Sequence, residues 1–150
     1  MRRMRLAGLI LLGLVVTTTV AHATFYHQRS LYQRLGGRQA IVLVVNDFVG
    51  NVARDKRINR FFANTDIPRL KRLLVQQICA ATGGPCRYQG RSMREAHRGL
   101  NIRNADFDAL VQDLVVSLDK FGVGQREQRE LLGILGPLRG DVVQPGRRTS

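Results

Sequence analysis

No stretch of this chain alternates apolar and polar residues with period two, whereas apolar residues return every three or four positions in four separate stretches. That pattern restricts the fold to packed helices. Ile41, Val45, Phe48 and Val52 form one stripe, with Val44 and Val49 beside it; Leu70, Leu74 and Ile78 form a second, wholly aliphatic, next to Leu73. Phe107, Leu110, Val111, Leu114, Leu118 and Phe121 make the third, and Leu131, Leu135, Leu138 and Val142 the fourth. Each stripe must be covered by another element, so the chain reads as one all-α domain, and its 150 residues are enough for a sizeable core.

The ends of the helices are written in capping and breaking residues. Ser30 can cap a short helix over 31–35 that Gly36-Gly37 stops, and a second helix is predicted over 38–54. Asp66 caps a third, with Pro68 tolerated in its first turn, and Thr82-Gly83-Gly84-Pro85 ends it. Asn104 is the expected cap of a long helix closed by Gly122; the last helix, about 125–143, should bend at Gly136-Pro137.

Between the third and fourth stripes lies Ser92-Met93-Arg94-Glu95-Ala96-His97-Arg98-Gly99-Leu100. Ser92 with Glu95 three residues on is a capping box, so a helix begins there. Met93, one turn back from His97, and Leu100, three residues on, share the histidine's face, while Arg94 and Arg98 fall to its side. A histidine on an apolar stripe has two readings that local sequence leaves open: a half-buried histidine bonded to a carbonyl, or a metal or haem-iron ligand.

The first residues resemble an export leader: Arg2, Arg3 and Arg5, an uncharged apolar run over 6–20, then Ala21-His22-Ala23 as a small-x-small cleavage site. Residues 1–23 are therefore expected to be removed, with a mature start at Thr24 and a periplasmic or secreted destination. The run is short of the roughly 20 residues of a spanning helix, and Met4 and Arg5 fit twin-arginine export poorly. Without the leader 21 basic and 11 acidic residues remain; the excess falls in singles and pairs with no interleaved aromatics to stack bases. A solvated basic surface is the expectation, with contact to an anionic membrane a lesser one and nucleic acid excluded as a partner. Cys79 and Cys86 have neither zinc nor c-type haem spacing, and whether they pair is left open.

Taken in order, Leu31-Tyr32-Gln33-Arg34-Leu35-Gly36-Gly37, Asp47-Phe48, Phe61-Phe62, Gly83-Gly84-Pro85, Tyr88 with Gly90, Met93 with His97, and Gly136-Pro137-Leu138 resemble a truncated haemoglobin of the group I (N-type) subfamily, over about residues 30–143. The resemblance implies a globin-like two-over-two helical sandwich around one b-type haem, with His97 as proximal iron ligand. It further implies that Phe62 wedges against the porphyrin, Phe48 packs the distal side, Met93 and Tyr88 line or edge the haem, and Leu70, Leu74 and Ile78 form the distal wall. Arg69, Arg72, Arg91 and Arg94 flank the expected slot, and any of them can meet the propionates.

The chain departs from the family on the distal side. Group I members usually place a tyrosine where this chain has Val49, and commonly a glutamine where it has Leu74. Gln76 and Gln77 are near, but successive helical residues point about 100° apart, so both are expected to face elsewhere. The pocket reads as dry. Bound dioxygen carries partial negative charge, and a charge-assisted hydrogen bond to it is worth on the order of 1.5–3 kcal/mol. The implied function is reversible binding of a diatomic gas, oxygen, carbon monoxide or nitric oxide, by a monomer served by an unidentified reductase. The alternatives are haem-dependent removal of nitric oxide or peroxide, which a pocket without a distal base disfavours, and haem carriage or sensing. His27, ahead of the first helix, has no assigned role.

Overall fold

The computed structural model describes residues 29–143, whose regular elements are all helices, with no strand among them. The expected leader, its cleavage site and His27 lie outside the described residues. The elements are α1 (Leu31–Arg34), α2 (Gly37–Arg54), a 3-10 turn (Asn59–Phe62), α3 (Ile67–Ala81), α4 (Met93–Ala96), α5 (Asn104–Lys120), α6 (Gln125–Leu135), a second 3-10 turn (Gly136–Leu138) and α7 (Arg139–Val142). They form the two-over-two globin sandwich: α2 packs on α3 and α5, and α1 on α6.

Local chemistry sets most of the boundaries. Ser30 accepts a hydrogen bond from Gln33 N–H while the Gln33 side chain accepts from Ser30 N–H, a full capping box for α1. Asp66 caps α3 by accepting from Arg69 N–H at 3.0 Å. Gly36 starts α2 with φ +91°, and a Cβ there would stand 2.9 Å from the Ala40 Cβ, so only glycine suits the turn. Pro137 tightens the expected bend into the second 3-10 turn, splitting the last helix in two.

Three expectations are corrected. The cap of α5 is Arg103 rather than Asn104, because Asp106 accepts from Arg103 N–H at 2.9 Å and fixes the first turn one residue earlier. Phe121 is 40% exposed instead of packed, since it is the residue at which α5 ends. Leu100 is 39% exposed, because α4 stops at Ala96 and helical spacing no longer governs where a residue after His97 points.

The core divides in two. The larger cluster gathers Ile41, Val45, Phe48, Val52, Ile78, Leu114, Leu118 and Leu131 between α2, α3, α5 and α6; a smaller one holds Ile102, Phe107 and Val142 with Met93 and Phe61. The division leaves room between them, and that room is the site.

Candidate functional site

Side chains of both clusters line one cavity of about 690 Å3: Phe48, Ile58, Ile78 and Leu114 from the first, Ile102, Phe107 and Val142 from the second. Interiors of domains are packed to crystal-like density. A space of this size between two core clusters lies within the roughly 300–1,000 Å3 of small-molecule and cofactor sites.

Each wall follows from a segment already described. From α3 come Leu70, Leu73, Leu74 and Ile78; from the first 3-10 turn, Phe61 and Phe62; from the loop before α4, Tyr88 and Arg91; from α4 and its cap, Met93 and His97. Of the residues singled out in the sequence, His97, Phe62, Phe48, Leu70, Leu74, Ile78, Tyr88 and Met93 all border this space. Val49 does not: it is buried at 5% exposure in the larger core cluster.

His97 closes α4. Its Nδ1 lies 2.7 Å from the Met93 carbonyl oxygen, one turn back. A carbonyl oxygen only accepts, so Nδ1 carries the proton and the imidazole lone pair is on Nε2, the arrangement a metal-ligating histidine needs. The helix that carries it is a single turn, and the Ser92–Glu95 capping box holds that turn: Glu95 N–H donates to Ser92 Oγ and Ser92 N–H to Glu95 Oε2. The Glu95 carboxyl is correspondingly held below its ordinary pKa, chiefly by the Ser92 hydroxyl.

Polar groups sit at defined points of the wall. Tyr88 donates its hydroxyl to Arg91 O at 2.9 Å, and partial burial pushes its pKa up. Asp106 is 5% exposed and accepts from Arg60 Nη2 at 2.9 Å and Arg103 Nε at 3.2 Å. Its hydrogen bonds from the Arg103 side chain and backbone, with that from Arg60, lower its pKa to about 2. Arg60 also lies over the Phe61 ring, 4.3 Å from its centre, so Asp106 ties the turn bearing Phe61 and Phe62 to the start of α5. Cys79 and Cys86 are joined in a disulfide, Cα to Cα 5.7 Å, which fastens the end of α3 to the loop leading to α4. Of the four candidate arginines, Arg69 and Arg91 reach the cavity wall; Arg72 does not, and Arg94 pairs with Asp141 at 2.6 Å.

Sequence reasoning missed Gln77, which lines the cavity rather than facing elsewhere. Its amide Nε2 is 3.5 Å from Met93 Sδ, on the His97 side of the space, while Gln76 instead meets Gln89 across the loop. Arg139 was also missed; it borders the cavity with its guanidinium 4.4 Å from the Phe107 ring centre. For Gln77 the sequence signal is its spacing of three from Leu74 and seven from Leu70, which puts it on their face of α3; for Arg139 there is none beyond its place near the last helix.

Residues 30–144 match the family model of bacterial-like globins. A group 1 truncated haemoglobin of Tetrahymena pyriformis is 32% identical over 77% of this chain and 95% of its own length, and the corresponding protein of Synechocystis sp. is 35% identical over 71% and 90%. Among solved structures, the Fe(III) form of the Tetrahymena pyriformis truncated haemoglobin superposes with a TM-score of 0.75 over 78% of this chain and all of that one. The 2/2 haemoglobin of Synechococcus sp., in the cyanomet state and with covalently attached haem, superposes with a TM-score of 0.73 at 39% identity, over 77% of this chain and 98% of its own. The fold and the matched span define the chain as a bacterial-like globin. Within that class it belongs to the group 1 truncated haemoglobins, haem-binding globins of the two-over-two fold.

Proposed function

We propose that this chain holds one b-type haem in the cavity, with His97 Nε2 as the iron's protein ligand, and that it binds a diatomic gas reversibly in the space bounded by Phe48, Leu70 and Leu74. The observation that carries the reading is a histidine whose Nδ1 lies 2.7 Å from Met93 O, standing on the wall of an apolar 690 Å3 cavity. The donor set fits a flat, largely apolar macrocycle bearing two carboxylates. Phe48, Phe62, Met93 and Ile102 supply apolar walls, and Arg69 and Arg91 put cations at the edge where carboxylates would emerge. Haem iron supplies the open coordination position; the protein supplies everything that orients and shields it.

The residues then act as follows. The Ser92–Glu95 box and the Nδ1 hydrogen bond fix the plane and tautomer of His97. The Asp106–Arg60 pair holds Phe61 and Phe62 against the slot. Leu70, Leu74 and Ile78 exclude water and offer no proton to a bound gas, and the Gln77 amide is turned to Met93 Sδ, at 3.5 Å. Oxygen gains from a donor, whereas carbon monoxide and nitric oxide depend on one far less. The pocket therefore favours carbon monoxide and nitric oxide over oxygen, which argues against slow-release oxygen storage. The experiment is the ratio of carbon monoxide to oxygen affinity. A ratio far above that of a globin with a distal tyrosine is expected, and vibrational evidence of strongly hydrogen-bonded oxygen would overturn the dry-pocket reading.

We further propose export, as a monomer, to an oxidising compartment. The leader-like first 23 residues support it, and so does the disulfide, which is rare in reducing cytosol.

A further inference from the structure

The basic excess that looks scattered in the sequence is concentrated in space. Residues 69–98 carry seven cations, Arg69, Lys71, Arg72, Arg87, Arg91, Arg94 and Arg98, against one acid, Glu95. Over the rest of the described residues twelve cationic side chains stand against ten acidic ones, close to balance. The segment is not a line but two banks of one opening. The start of α3 forms one bank and the loop with α4 the other; Gln76 and Gln89 bridge them, and Arg69 and Arg91 reach the cavity wall between them. Arg72 is three residues from Arg69 and one turn before Gln76, which places it on the same side of α3. Arg87 and Arg98 bracket Tyr88 and His97 in sequence, and all three arginines are exposed.

Little of this charge is used within the fold. Elsewhere six of the twelve cations are ion-paired, among them Arg34 with Glu127 and Glu130, Arg57 with Asp55, and Arg139 with Asp108. On the two banks only Arg94 has an ion-pair partner among the described residues. Glu95 is occupied by its capping box. Two propionates would offset Arg69 and Arg91 and leave the surrounding ring positive.

We infer that this ring is a docking surface for a small acidic electron-transfer protein, which gives up one electron and takes the haem iron from ferric to ferrous, with no proton moving. The inference rests on the haem reading above. A gas-binding globin without a distal donor needs such a donor protein, because only ferrous iron binds oxygen and carbon monoxide. The two banks carry their charge beside the cavity wall that Arg69 and Arg91 reach, so a partner drawn to them is brought next to the cofactor's edge. A lipid surface fits less well: the only large apolar side chain strongly exposed on these banks is Leu100, and charge without apolar anchors holds an interfacial element weakly.

The test uses the full haem-loaded protein in the ferric state and flavodoxin hydroquinone, an acidic one-electron donor. Arg72→Glu, Arg87→Glu and Arg98→Glu are combined, none of them a residue that lines the cavity. Arg38→Glu, Arg126→Glu and Arg129→Glu make the control with the same change in net charge on exposed positions elsewhere. At low salt the ring variant should be reduced at least about tenfold more slowly than wild type and the control within about threefold, and 0.5 M salt should abolish the difference. Both variants should keep the wild-type Soret band and helical circular dichroism. Equal slowing in ring and control variants, or none in either, overturns the docking surface. So does cosedimentation with phosphatidylglycerol vesicles that is lost in the ring variant while flavodoxin reduction is unchanged. A wild-type chain that takes up no haem instead refutes the proposed function.

Discussion

Placing a hydrogen-bond donor in the cavity should change oxygen binding far more than carbon monoxide binding, and Leu74 is the position for it. Leu74 is half-buried on the cavity wall, between Leu70 and Ile78 on the same face of α3 and across from Phe48. Leu74→Gln keeps a side chain of similar length and adds an amide N–H pointing into the same space. A charge-assisted hydrogen bond contributes about 1.5–3 kcal/mol to a bound oxygen with partial negative charge. At about 1.4 kcal/mol per tenfold, oxygen should leave roughly ten to a hundred times more slowly. Carbon monoxide develops little charge, and its release should change by less than about threefold. The substitution removes apolar burial at one half-buried site, a stability cost of about 1–2 kcal/mol that the fold should survive. Stopped-flow displacement of each gas from the ferrous protein measures both rates, with Lys71→Gln, a position that does not line the cavity, as control. Unchanged oxygen release in Leu74→Gln would refute the reasoning, because it would mean that some other group already donates to the bound gas or that this wall does not face it.

Three further outcomes follow from the fold. Gly84→Ala would set a Cβ 2.8 Å from Cys79 O and 2.7 Å from Cys79 Sγ, so it should destabilise the protein by about 2 kcal/mol or more in urea unfolding, where an unshifted midpoint would contradict the geometry. Replacing Cys79 and Cys86 together by Ser, which opens a loop with a sequence separation of 7, should cost about 2–3 kcal/mol and speed haem loss to an apo-acceptor, since the loop carries the cap of α4; equal haem loss would separate the disulfide from the site. Asp106 has a folded pKa of about 2, below its ordinary value of 3.8, so its contribution is full above pH 4 and fades as pH falls toward 2. Asp106→Asn should therefore lower stability at pH 7 by less than about 2 kcal/mol, as both arginines are solvent-facing, and the difference from wild type should shrink through pH 2 and vanish below it.

Much of this molecule is legible in its sequence because the signals are local. The Ser30–Gln33 and Ser92–Glu95 boxes, the Asp66 cap and the Gly36-Gly37 turn are each complete within a few residues, so they place α1, α2, α3 and α4 without knowledge of any neighbour. The stripe Leu70, Leu74, Ile78 likewise names the wall it forms. What was not legible depends on contacts distant in sequence. Gln77 was legible and passed over: it stands three residues after Leu74 and seven after Leu70, on their side of α3, whereas its contact with Met93, 3.5 Å from its amide, comes from a segment distant in sequence. Leu100 leaves its expected face because α4 ends one residue before His97, and a capping box marks a start but not a stop. The cationic surface reads as scattered charge because its two banks lie about twenty residues apart along the chain and are brought together by Gln76 with Gln89, Gln77 with Met93 and the Cys79–Cys86 disulfide.

The central claim is that His97 holds the iron of a haem in the apolar cavity. The most direct measurement is the absorption spectrum of haem-loaded protein, reduced and then exposed to carbon monoxide, for wild type and for His97→Ala with and without added imidazole. The account predicts a five-coordinate ferrous spectrum that converts fully with carbon monoxide, is altered in His97→Ala, and returns when imidazole fills the space left on the cavity wall. A Soret band indifferent to the loss of His97 would contradict it.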